Sequence, residues 1–88
     1  MVNKQSAVTK DHIAMTIRSL IAEHLEVEIP RVSDETDLFS DLGADWLDRL
    51  ELMIAIEERF NVEFADDDVE KLLAVGDLIR FIEANVQV

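Results

Sequence analysis

Apolar residues in this chain recur every three or four positions and nowhere settle into strict alternation, and that spacing confines the chain to helices. Thr9 can cap a first helix in which Ile13, Ile17, Leu20, Ile21 and Leu25 share a face, fading near Glu26. A second helix is predicted from Trp46 to Phe60 with Asp45 as its cap. A short third one over Asp66–Leu72 places its acids at the end where the helix dipole favours them. The last begins near Val75 and sets Val75, Leu78, Ile79, Ile82 and Val86 on one side, although Ala74 offers no capping side chain. From Val27 to Asp45 neither period holds. There Pro30 disfavours helix at Ile29, and Ser33, Asp34, Asp41 and Gly43 are turn formers. Val32, Leu38, Phe39 and Leu42 are the candidates to anchor this long loop on the core. The expected fold is all-α: a small four-helix bundle of three longer helices and one short, with a long first loop. Residues 1–8 are expected to form a flexible N-terminal extension, and residues 9–88 a single helical domain.

At 88 residues and 49% hydrophobic, the chain has enough apolar surface for one small core. No apolar run approaches the roughly 20 residues of a membrane span, and the opening MVNKQSAVTKDH lacks the apolar centre of a signal peptide. Cysteine is absent, which removes disulfides, thiolate metal sites and cysteine nucleophiles. A cytoplasmic monomer is the expectation. The charge is unevenly placed. Between Asp34 and Glu70 fourteen acids face two bases, Arg49 and Arg59, while the rest of the chain is balanced, so the whole net charge of −12 lies in one central segment. Such a segment repels nucleic acid, whose phosphates need a basic footprint. It attracts partners with basic patches instead.

The second helix divides that acidity in a telling way. On a wheel of 100° per residue with Leu47 at zero, Leu52, Met53, Ile56 and Phe60 fall between about 140° and 240°. Leu47, Leu50 and Ile54 fall between about 300° and 0°, interleaved with Glu51, Glu57 and Glu58. An arc carrying three carboxylates is not the buried one. The first group is therefore assigned to the core, and the second to an exposed apolar ridge rimmed by acids, suited to docking. Arg49 falls on the core side, and its long stem is expected to carry the guanidinium out to water.

These residues also carry a family resemblance. The stretch "DLGADWLDRLELMIAIEERFNVEFADDDVEKLLAVGDLIRFIE" resembles an acyl carrier protein, with the match running from Thr36 to Glu83. It includes Asp41-Leu42-Gly43-Ala44-Asp45 before the second helix, Leu47-Asp48 and Glu51-Leu52 opening it, and Glu57-Glu58 and Phe60 closing it. The resemblance implies a four-helix bundle that carries acyl chains as thioesters on a 4′-phosphopantetheine arm. It further implies that partner enzymes of fatty-acid, lipid or polyketide metabolism dock on the second helix, through Asp45, Leu47, Asp48, Leu50, Glu51, Ile54, Glu57 and Glu58.

One position departs from the family. Its pattern is Gly-x-Asp-Ser-Leu, and the serine hydroxyl is esterified to the phosphopantetheine. Here Gly43, Ala44 and Asp45 are followed by Trp46 and then Leu47. Transfer of the arm requires a hydroxyl oxygen to attack phosphorus, and indole offers one N–H donor and no acceptor. No cofactor is therefore expected on the sequence as it stands. Ser40, the nearest hydroxyl on the approach to the helix, stands six residues away, before the glycine. Two roles are open to Trp46: a binding anchor on the edge of the docking arc, or a cover folded back over the loop through Phe39 or Leu42. The leading function is then a carrier-like module that docks but is not phosphopantetheinylated. The alternatives are a genuine acyl carrier protein whose serine was changed by engineering, and a small helical bundle binding a free acyl chain.

Other chemistry is sparse. His12 and His24 stand twelve residues apart without further converging ligands, and Asp66, Asp67 and Asp68 lack an EF-hand's glycine and spacing. No metal site is expected. The acids read as solvated rather than as a catalytic pair held in a cleft, and the chain is not expected to be an enzyme.

Overall fold

The computed structural model describes residues 9–86. Four helices follow one another: α1 (Lys10–Leu25), α2 (Trp46–Phe60), α3 (Asp66–Lys71) and α4 (Val75–Asn85). No strand occurs among the described residues, only an isolated bridge between Asp37 and Ala74. The expected extension at residues 1–8 lies outside the described residues.

Thr9 starts α1 as its sequence predicts, its hydroxyl accepting the His12 N–H at 3.1 Å. The helix then buries Ile13, Thr16, Ile17, Ile21 and Ala22, a stripe at three- and four-residue spacing. It closes at Glu26, which takes a left-handed conformation (φ 57°) so that the next amide, of Val27, reaches back to the Ala22 carbonyl. α2 closes in the same way, at Asn61 (φ 56°) with the Val62 amide bonded to the Glu57 carbonyl. In both cases the turn brings a valine onto the common core, and Val62 is buried there.

The loop between α1 and α2 is pinned rather than loose. Val32 and Leu38 are buried, and Phe39 and Leu42 pack against the same core. Ile29–Arg31 form one turn of 3₁₀-helix, although Pro30 disfavours helix at Ile29. Pro30 sits in the first turn, where its missing N–H costs nothing. Thr36 ties the next segment together, its hydroxyl donating to the Arg31 carbonyl at 3.1 Å and accepting the Ser33 amide at 3.0 Å.

That loop also supplies what α4 lacks. With no side-chain cap at Ala74, the first amides of α4 would be orphaned. The Thr36 carbonyl accepts from Val75 and the Asp34 carbonyl from Gly76, both at 2.9 Å. The approach is so close that a Cβ on Gly76 would lie 3.0 Å from the Asp34 carbonyl oxygen. Glycine is favoured there by space rather than by backbone angle.

The core assignment for α2 holds: Leu52, Met53, Ile56 and Phe60 are all buried. The expectation for Arg49 does not. It is 6% exposed, its guanidinium lying 5.3 Å from the centre of the Phe39 ring, with Nε and Nη2 lacking hydrogen-bond partners. The loop that packs across the start of α2 closes over the side chain before its stem can reach water.

Candidate functional site

The start of α2 is built by four aspartates. Asp37 Oδ1 accepts the amides of Phe39 and Ser40 at 2.8 and 2.9 Å, and Asp41 Oδ2 accepts the Asp37 amide at 2.8 Å. These amides hold the Asp37 carboxyl below its usual range, the Ser40 N–H contributing most. The turn they create leads through Gly43, which is left-handed at φ 72°. Asp45 follows, its Oδ1 accepting the Asp48 amide at 2.8 Å while Asp48 Oδ2 accepts the Asp45 amide at 3.1 Å. This reciprocal pair is a capping box made with aspartates. It fixes the direction in which the first helical residue projects.

That residue is Trp46, and it stands in the open at 66% exposure. The cover role for the indole is thereby corrected, since Phe39 and Leu42 are packed on the core without it. Beside Trp46, Leu47 is 57% and Ile54 46% exposed, while Leu50 between them is half-buried. Three apolar side chains therefore stand in solvent along one edge of a single helix.

The acids of this face are not equally free. Glu58 is exposed, and no hydrogen bond engages its side chain among the described residues. Glu51 Oε1 lies 3.3 Å from His24 Nε2 at the end of α1. Glu57 is half-buried and its Oε2 accepts the Phe64 amide at 2.8 Å, which fixes the segment leading into α3. Sequence spacing places Glu57 on the docking arc and cannot show this second commitment. Nor does it show that Asp48, Glu51 and His24 converge, with one ligand atom of each within 4.8 Å of the others. Burial pushes the pKa of Arg49 down, and the charges of Glu70 and Asp37 pull it back.

The fold is that of a small acidic four-helix bundle with a capped, exposed start to its second helix, and comparison with known proteins identifies its family. The family described as "Phosphopantetheine attachment site" matches residues 16–82. The acyl carrier protein of Helicobacter pylori strain J99 is 46% identical over 69 residues, covering 78% of this chain and 88% of that one. That of Wolinella succinogenes is 45% identical over the same length, covering 78% and 91%. The acyl carrier protein from Enterococcus faecalis, a solved structure, superposes with a TM-score of 0.78 at 28% identity, over 89% of this chain and 99% of that one. The chain belongs to the acyl carrier protein family.

Proposed function

We propose that this chain is a carrier-fold docking module of fatty-acid or lipid metabolism that carries no phosphopantetheine arm. The supporting observation is Trp46: an exposed indole in the first turn of α2, at the position where the family pattern has its serine. An indole has no oxygen with which to form the phosphodiester. The capping box, the exposed Leu47 and Ile54, and the acidic rim of Glu51 and Glu58 keep the rest of the face in the form a basic partner surface would meet. Trp46 then serves as a rigid apolar anchor within that face, a residue type enriched where binding energy concentrates.

Competition tests the reading. Immobilised enzymes of fatty-acid synthesis, each saturated with its own phosphopantetheine-free carrier, are challenged with this chain at low salt. Displacement is expected, weakening as salt rises. Glu58→Lys and Trp46→Ala should each reduce it while leaving the helical circular dichroism unchanged. Failure of the native chain to displace any carrier would contradict docking.

A further inference from the structure

We propose that His24, Asp48 and Glu51 form a binding site for a zinc-class divalent cation that clamps the end of α1 to the start of α2. The inference is independent of what Trp46 does. His24 lies in the last turn of α1, and Asp48 and Glu51 lie three residues apart on one face of α2. One ligand atom from each lies within 4.8 Å of the others, and His24 Nε2 is already 3.3 Å from Glu51 Oε1. Zinc–ligand distances of about 2.0–2.2 Å place tetrahedral ligand atoms about 3.4 Å apart. The widest gap must therefore close by roughly 1.4 Å, within the reach of side-chain rotation.

The donor set decides the metal. Calcium and magnesium take oxygen ligands in larger numbers, whereas one imidazole with two carboxylates suits zinc and its neighbours. Charge points the same way. Of the three close contacts between a basic side chain and a carboxylate among the described residues, two use an arginine, and only this one uses a histidine. Two carboxylates thus converge on an imidazole in a chain of net charge −12, and a divalent cation balances them more fully than the ring does. Asp48 commits Oδ2 to the Asp45 amide, which leaves its second oxygen for a metal. The His24 side chain is 29% exposed, so the site is open to solvent on one side, where water completes the coordination.

The experiment is calorimetric titration of the chelator-stripped full chain with zinc chloride, paired with thermal melts. One zinc per chain is expected, with a melting temperature several degrees higher in its presence. His24→Gln keeps both carboxylates and should weaken zinc binding at least tenfold, and Glu51→Gln should do the same. Both variants are judged against their own circular dichroism, so a loss of affinity is not read from an unfolded chain. Magnesium at equal concentration should produce no histidine-dependent effect. Zinc affinity equal in the native chain and in folded His24→Gln would overturn the site and assign the binding to surface acids at large. Absence of one-to-one binding in the native chain would overturn it as directly.

Discussion

On one side of α2, Leu52, Met53, Ile56 and Phe60 are buried in the common core; on the other, Trp46, Leu47 and Ile54, no less apolar, stand in solvent. Hydrophobicity alone does not separate the two sets. What separates them is what lies between: the outer residues are interleaved with Glu51 and Glu58, whose burial would strip two carboxylates of water. The inner face contains one charge, Arg49, and it is buried with two nitrogens unpartnered. A single misplaced cation is tolerated in a core of good packing, whereas a row of carboxylates turns a whole arc outward. The outer face is thus kept apolar and wet at once, which is the feature the proposed docking relies on.

The largest effect expected from this contrast is at Phe60. Phe60→Ala should cost about 3–5 kcal/mol in urea unfolding, while Leu47→Ala should stay within about 0.5 kcal/mol. Equal losses would mean that the two faces do not differ as described.

Arg49 sharpens the comparison from the inner side. Removing a buried, incompletely paired cation while keeping its apolar stem should help the fold, so Arg49→Met should raise stability by about 1–3 kcal/mol. The same denaturation measurement checks it. A loss comparable to that at Phe60 would show that the contact with Phe39 outweighs the desolvation of the guanidinium.

A smaller effect separates the turn before α2 from both faces. The Asp37 carboxyl is held below its usual range by the Ser40 and Phe39 amides. Its contribution is therefore full above the unfolded carboxyl's pKa of about 3.9 and disappears as pH falls through the lower folded value. Melting curves of the native chain and Asp37→Asn should differ at neutral pH, begin to draw together as pH falls below about 4, and converge once it has passed the lower folded value. A difference that persists unchanged in acid would remove the charge from the explanation. Smallest of all is Trp46→Ser, which should alter stability by no more than about 0.5 kcal/mol, because an exposed indole buries little on folding. A loss of several kcal/mol would restore the indole as a cover for the loop.

Much of this was legible in the sequence, for a local reason. Helical spacing, the Asp45 cap and the acids on one arc are relations between residues three or four apart, and they predict α1, α2 and the two faces directly. The loop anchors were readable as isolated apolar residues between turn formers. What escaped were contacts between distant segments. Arg49 is buried because the loop immediately before α2 folds back over it, bringing Phe39 onto the guanidinium. The missing cap of α4 is supplied by carbonyls of Asp34 and Thr36, some forty residues earlier in the chain. His24 meets Glu51 across 27 residues, and Glu57 serves the Phe64 amide beyond its own helix. No pattern within a single helix records these.

On the function proposed above, the start of α2 retains the family's recognition surface and lacks only the atom that would be modified. Intact mass after incubation with coenzyme A and a phosphopantetheinyl transferase tests it most directly. The native chain should gain nothing, and Trp46→Ser should gain one arm of about 340 Da. Modification of the native chain would contradict the claim outright, since it would require another acceptor. A folded Trp46→Ser chain that stays unmodified would contradict it from the other side, by showing that the surface around Asp45, Leu47, Asp48 and Glu51 is no longer the one the transferase reads.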